Sequence, residues 1–207
     1  MRFGIEEKLF TNLRELVKDH HLAGVKCEFE AEGSTFFDVV RLRDLCSSAN
    51  THLDLKIGGA EAKRDVLDAM VLGVDGLIAP MIETEFAVFK FRKLVESIYK
   101  EKGGRPRIAI NVETKTALER LDAILEKADG FIDQVTFGRT DLSASYFDKA
   151  ITPDSDFILD TIVERAAAIK KKGLRVTMGG SISVRTVQKL AERGYFARAI
   201  DQIETRK

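Results

Sequence analysis

The chain has no excess charge of either sign: 33 Lys plus Arg stand against 33 Asp plus Glu in 207 residues. A balanced chain offers no net positive field to hold nucleic acid or an anionic membrane, so neither is an expected partner, although a local basic patch is compatible with it. Cysteine is scarce. Only Cys27 and Cys46 are present, in neither a metal-type nor a redox-type spacing, which argues against a disulfide framework and predicts two buried thiols in a reducing compartment. Long apolar runs are missing too. The opening MRFGIEEKLF lacks the basic region and apolar stretch of a signal peptide, and no segment approaches the roughly 20 apolar residues of a membrane span. A cytoplasmic protein is expected. Proline is limited to Pro80, Pro106 and Pro153, all at element boundaries, and no linker, low-complexity tract or dividing repeat is evident. With 44% hydrophobic residues, the length suits a single domain over residues 1–207.

What is present is an alternation of two periods. Apolar residues at helical spacing in Ile5, Leu9, Leu13, Leu16 and Val17, and again in Phe37, Val40, Leu42 and Leu45, predict two amphipathic helices. Strand-like runs follow in GVKCEFEA, HLDLKIG, GLIAPM, IAINVE, QVTFG, LRVTMG and FARAIDQI, separated by helical segments near residues 61–72, 85–101, 115–127, 155–172 and 183–193. This order predicts a mostly parallel sheet with crossover helices.

Five of the runs carry a polar face. Lys26, Glu28 and Glu30 alternate with apolar residues, as do Asp54 and Lys56, Asn111 and Glu113, Gln134, Thr136 and Gly138, and Arg175 and Thr177. Central strands of an open doubly wound sheet would bury both faces and read as continuous apolar runs. Here the apolar sets suit packing under helices while the polar sets converge on one space. The expectation is an α/β fold, a (β/α)8 TIM-type barrel, with Lys26, Lys56 and Arg175 facing Glu28, Glu30, Asp54 and Glu113 in its lumen. For Lys26, Glu28 and Asp54, deeper in their strands, a structural salt-bridge network and a functional role are both open. Residues at the C-terminal strand ends are expected to carry chemistry.

Two strand ends are recognisable. NVETKTALERLDAIL followed by FIDQVTFGRTDLSAS, preceded by GVDGLIAPMIETEFAVFKF, resembles the HpcH/HpaI aldolase and citrate-lyase beta-subunit family of the phosphoenolpyruvate/pyruvate barrel superfamily. The resemblance runs from about Lys56 to Ser145 and implies that Glu113 and Asp141 ligate Mg²⁺ or Mn²⁺. Hard divalent ions take oxygen ligands and keep open positions beside one or two carboxylates, which suits chelation of a 2-oxo acid. Acidic residues also suit helix N-termini, so capping is the alternative for each alone.

The resemblance further implies that main-chain N–H groups around Gly138, Arg139 and Thr140 receive a substrate carboxylate, Gly138 allowing close approach. Arg139 is expected either to clamp a second acidic group or to be a solvated loop residue. The Gly179-Gly180-Ser181 turn reads as a tight turn with Ser183 as helix N-cap, with anion binding as the alternative. Two departures stand out. Lys56 occupies a position where relatives carry arginine, and no histidine follows the Glu30-Ala31-Glu32-Gly33 stretch, leaving Glu30 or Glu32 with a metal-bound water as candidate acid–base groups. His20, His21 and His52 read as surface or cap residues.

The chain is short for a barrel of about 250 residues. If GVKCEFEA is the family's second strand, the first is missing, and the terminal IETRK either begins an eighth strand or marks a truncated end. The barrel is therefore expected to be modified at its first strand and last helix. An oligomer formed by exchanging that helix is not expected; other homo-oligomers stay open. The functional expectation is a metal-dependent carbon–carbon lyase or aldolase acting on a small 2-oxo acid, with Lys56 as anion stabiliser. The alternatives are a degenerate barrel binding a carboxylate or phosphate, a citryl- or malyl-CoA-type lyase, and a Schiff-base enzyme using Lys56.

Overall fold

The computed structural model describes residues 3–194 and 196–205. In chain order the elements are α1 (Gly4–Asp19), β1 (Gly24–Glu28), α2 (Phe36–Ser48), β2 (His52–Lys56), α3 (Lys63–Leu72), β3 (Gly76–Ala79), α4 (Glu85–Tyr99) and β4 (Arg107–Val112). There follow α5 (Lys115–Glu119), α6 (Leu121–Lys127), β5 (Gln134–Gly138), α7 (Arg139–Ala144), α8 (Asp156–Lys171), β6 (Arg175–Gly179), α9 (Val184–Glu192), α10 (Phe196–Ala199) and β7 (Gln202–Ile203). Two compact units form: the residues up to Ile78 with Leu94–Arg107, and Ala79–Lys93 with the residues from Ile108 on.

In the first unit β1, β2 and β3 pair in parallel and in chain order. The register sets Lys26 beside Asp54 and Glu28 beside Lys56 on one face, while Leu53 and Leu55 on the other are fully buried. Glu28, only 3% exposed, holds Lys26 Nζ at 3.4 Å and Lys56 Nζ at 3.5 Å. The two oxygens of Asp54 accept from Arg107 Nη2, at 2.7 and 2.9 Å. These pairs offset one another's desolvation, so Lys26, Glu28 and Asp54 take part in a salt-bridge network. Cys27 and Cys46 are buried and unlinked, and burial pushes their thiols up, to about 12 and about 11.

In the second unit β4, β5, β6 and β7 also pair in parallel and in chain order. Neither unit shows the reversal of order that defines a doubly wound sheet. Val112, Phe137, Val176 and Met178 are fully buried on the apolar face, and Phe91 of α4 meets Phe131 edge-on with ring centroids 5.5 Å apart. Helix starts follow the sequence closely. Thr35, Thr114 and Ser183 each accept a backbone N–H of the first turn, from Asp38, Ala117 and Thr186.

One device recurs at the feet of alternate strands. Asp75, Asp133 and Asp201 immediately precede β3, β5 and β7, and each accepts the N–H of one residue on the preceding strand: Leu53 at 2.9 Å, Ile108 at 2.7 Å and Val176 at 2.9 Å. Each also donates its own N–H to the carbonyl of that same residue, at 2.9, 2.8 and 2.8 Å. One aspartate thereby holds both main-chain groups of its neighbour and fixes the register.

Several local expectations need correction. FARA is the helix α10 and the strand begins only at Gln202, so FARAIDQI is not one strand. β1 stops at Glu28, because the chain bends at Phe29 and Glu30, which leaves Glu30 outside the ladder. The helix expected over 115–127 breaks at Arg120, whose guanidinium turns to Glu85. Arg175, expected inside, opens β6 and is exposed. Among the described residues there are seven strands; of the proposed eighth, Ile203 belongs to β7, and Arg206 and Lys207 lie outside the described residues. No helix among the described residues is long and apolar enough to cross a membrane.

At two of the strand feet, Asp75 and Asp201, the clamp makes stability depend on acid. Burial raises the Asp201 carboxyl, but Lys170, the Val176 amide and Arg175 outweigh it and hold the group below its usual range. At Asp75 burial is likewise outweighed by the Leu53 amide, Arg43 and His52. A lowered folded value means the contribution is full above the unfolded carboxyl pKa of about 3.9 and is lost as pH falls through the folded value. Asp201→Ala is expected to cost about 1–2 kcal/mol at about pH 7, and less below about pH 3, in urea titrations. An equal loss at both pH values would show that the ionised carboxylate is not what clamps Val176.

Candidate functional site

β4 ends in a carboxylate that the chain positions with care. Glu113 is 3% exposed; its Oε1 accepts the Met81 N–H at 2.9 Å and its Oε2 accepts Asn111 Nδ2–H at 3.1 Å. Met81 adopts φ 52° to present that amide, a left-handed conformation that costs an ordinary side chain about 1–2 kcal/mol. The segment after β3 is pinned to the same strand end by Ile82 N–H on the Asn111 carbonyl at 3.2 Å and by Thr114 Oγ1–H on Glu83 at 2.7 Å. Capping does not explain Glu113, since Thr114 is the N-cap of α5.

Gly138, at the end of β5, lies directly beneath this carboxylate, and a Cβ there would collide with Glu113 Oε2. Glycine is required for the approach, as the sequence suggested, although the group approaching is a protein side chain. Asp141 follows in the first turn of α7; it is exposed and no hydrogen bond or ion pair engages its carboxylate among the described residues. Thr140 is exposed, with Oγ1 2.9 Å from Ser181 Oγ.

Arg139 is neither the solvated loop residue nor an open clamp. It is fully buried: Nε donates to the Gly179 carbonyl at 3.3 Å, Nη1 to the Pro153 carbonyl at 3.0 Å and Asp154 Oδ1 at 2.6 Å, and Nη2 to the Gly180 carbonyl at 2.6 Å. Burial lowers its pKa and Asp154 opposes the shift; a guanidinium so placed stays charged. Its effect is to tie α7 to the turn after β6. A Cβ on Gly180 would sit 2.6 Å from Thr140 N and 2.8 Å from Arg139 N. The two turns that the sequence offered as separate anion sites are thus packed on each other, and Ser183 caps α9 as expected.

Lys56 and Glu30 belong to the first unit. Lys56 Nζ pairs with Glu28, one of the acids expected to face it, at 3.5 Å. Glu30 is exposed, and its carboxylate lies over Gly58, where a Cβ would be 2.8 Å from Oε1. His20, His21 and His52 are exposed.

One residue of the site escaped the sequence reading. Glu204, just past β7, donates its N–H to the Met178 carbonyl at 2.8 Å, and its carboxylate lies over Gly179, 3.2 Å from where a Cβ would stand. Thr136 Oγ1 donates to Glu204 Oε1 at 3.4 Å. The signal was present in IDQIE, which repeats the Asp-led strand start of VDG and IDQ.

The donor set suits a hard divalent ion. Glu113 is a buried oxygen donor oriented by two N–H groups, and the exposed Asp141 lies three residues beyond the glycine that Glu113 covers. No group of three or more His, Cys, Asp or Glu forms a metal-type cluster among the described residues; a site completed by water and substrate oxygens does not need one.

A profile of the HpcH/HpaI aldolase/citrate lyase family matches residues 56–201. A 79-residue stretch is 44% identical to the 2-keto-3-deoxy-L-rhamnonate aldolase of Klebsiella pneumoniae subsp. pneumoniae, covering 37% of this chain and 29% of that protein, so the chain spans under a third of this relative's length. Among solved structures, an HpcH/HpaI aldolase/citrate lyase family protein from Burkholderia cenocepacia J2315 gives a TM-score of 0.73 at 16% identity over 94% of this chain and 82% of that one. The HpcH/HpaI aldolase from Desulfitobacterium hafniense DCB-2 gives 0.74 at 15% identity over 98% and 82%. At such identities the structural likeness is one of fold, an α/β fold with parallel strands. The family profile spans well over half of the sequence, and this chain belongs to the HpcH/HpaI aldolase/citrate lyase family.

Proposed function

We propose that the chain is a metal-dependent carbon–carbon lyase of (β/α) barrel type that acts on a small 2-oxo acid, with Glu113 and Asp141 as the metal ligands. The observation that carries this reading is the buried Glu113 carboxylate, aimed by the Met81 and Asn111 N–H groups over the Cβ-free Gly138. Bound at these carboxylates, Mg²⁺ or Mn²⁺ supplies Lewis-acid stabilisation of the negative charge that develops on a 2-oxo acid. The protein's own part is positional. Met81 and Asn111 fix the Glu113 oxygens, Arg139 anchors the start of α7, which carries Thr140 and Asp141, and Gly138 leaves room for the Glu113 carboxylate. Glu30 is assigned the proton transfer, being an exposed carboxylate in the bend that follows β1.

The metal is tested by thermal unfolding. Mg²⁺ or Mn²⁺ is expected to stabilise the wild type by about 2.7 kcal/mol when the free ion reaches about 100 times its Kd, and Glu113→Gln and Asp141→Asn are each expected to lose that response. Equal metal-induced shifts in all three proteins would remove the assignment.

Lys56 is assigned the role of a cation that steadies an anion, because its ammonium is held by the Glu28 carboxylate. Borohydride reduction in the presence of pyruvate is expected to leave no adduct, and Lys56→Arg is expected to keep more pyruvate binding than Lys56→Met. A mass increase mapped to Lys56 after reduction would move the protein to the Schiff-base class.

A further inference from the structure

α7 carries Asp141 in its first turn, yet little within the helix fixes where that turn begins. The helix has six residues, and its N-cap, Gly138, makes no side-chain hydrogen bond; one so short is marginal without tertiary contacts. Leu142 buries its side chain fully, and at the start of the helix the anchor is the Arg139 guanidinium. Three of the acceptors that meet this guanidinium are main-chain carbonyls, those of Pro153, Gly179 and Gly180. Carbonyls carry no net charge. The counter-charge comes from Asp154, whose Oδ1 accepts from Nη1 at 2.6 Å.

Asp154 stands in the connection between α7 and α8 and serves a second element as well. Its carboxylate accepts from Thr186 Oγ1, at 3.0 and 3.2 Å. Thr186 is fully buried, and its hydroxyl oxygen accepts the Ser183 N–H at 3.0 Å in the capping box that starts α9. The Asp154 main chain is held too, because Lys189 Nζ donates to its carbonyl at 2.8 Å. One carboxylate thus joins the turn that opens α7 to the turn that opens α9. Where the two turns touch, Thr140 Oγ1 and Ser181 Oγ are 2.9 Å apart, and a Cβ on Gly180 would sit 2.6 Å from Thr140 N, so neither turn shifts without the other.

We propose that Asp154 is a positioning residue of the metal site: by holding Arg139 it fixes the first turn of α7, and so sets where the Asp141 carboxylate stands for a divalent ion. This rests on the reading of Glu113 and Asp141 as the metal ligands. A buried guanidinium that loses its carboxylate is left as an uncompensated charge, which water solvates better than carbonyls do. Arg139 then turns toward solvent, and Thr140 and Asp141, the next two residues of the same turn, move with it. Metal affinity is sensitive to such a displacement, since removing a group that orients a ligand from behind commonly weakens binding by about 10- to 100-fold.

Calorimetric titration of Mn²⁺ into the whole protein tests this, at a temperature where the proteins compared are folded by circular dichroism. Asp154→Ala is expected to weaken Mn²⁺ binding about tenfold. Asp154→Asn keeps an acceptor oxygen for Arg139 without the charge, and is expected to weaken it less. Asp75→Ala, which loosens a strand foot of the first unit, is the control: it is expected to lower the midpoint of urea unfolding and leave Mn²⁺ affinity unchanged. In the Arg139→Met background the further change Asp154→Ala is expected to have no effect on affinity, because Asp154 acts through Arg139. If Arg139→Met does not fold, the comparison of Asp154→Ala with Asp75→Ala carries the test. An Asp154→Ala protein that loses stability but binds Mn²⁺ as the wild type does, or an equal loss of affinity with and without Arg139, overturns the positioning role alone. A wild type that binds no Mn²⁺ overturns the metal reading and the positioning role with it.

Discussion

Register between neighbouring strands is the constraint on which the rest depends, and in three places an aspartate sets it. Because side chains alternate across a strand, a slip of one residue would turn every inward group outward. Asp75, Asp133 and Asp201 prevent this by gripping both main-chain groups of Leu53, Ile108 and Val176. With β4 and β5 held at the foot, Val112 meets Phe137, and Glu113 necessarily comes over Gly138. With β6 and β7 held likewise, Met178 meets Ile203, and Glu204 comes over Gly179. Carboxylates at one end of the strands thus decide where carboxylates stand at the other.

Much of this could be read from the residues in advance. Alternation in HLDLKIG, IAINVE and QVTFG was enough to assign the polar and apolar faces, because a half-polar strand has only one way to satisfy both. Burial of Leu53, Ile57, Val112 and Phe137 agrees with it. Arg139 was misread because its burial depends on carbonyls at Pro153, Gly179 and Gly180, acceptors far along the chain that no local pattern encodes. Glu204 was missed for a different reason. The apolar run FARAIDQI hid a four-residue helix, Phe196–Ala199, and set the strand start too early, although the Asp-led repeat marked the true one.

The polar faces of the two units are put to different uses. In the first, Lys26 and Lys56 share the Glu28 carboxylate and Arg107 pairs with Asp54, so charges of opposite sign are set directly against each other. In the second, N–H groups aim Glu113 and a hydroxyl meets Glu204, while Asn111 Oδ1 and Thr177 Oγ1 stay unpaired. Unpaired buried polar atoms disfavour the folded chain by themselves, and such costs gather where a protein binds something.

The paired glycines at the tops of β5 and β6 have a structural meaning of their own. Gly138 and Gly179 are register partners, so the two absent side chains are adjacent, and the space each would take is held by a glutamate of the flanking strand, Glu113 over Gly138 and Glu204 over Gly179. The bare backbone of β5 and β6 is thus a seat for two acids, and a methyl group added at Gly138 would push the Glu113 carboxylate off the strand that positions it.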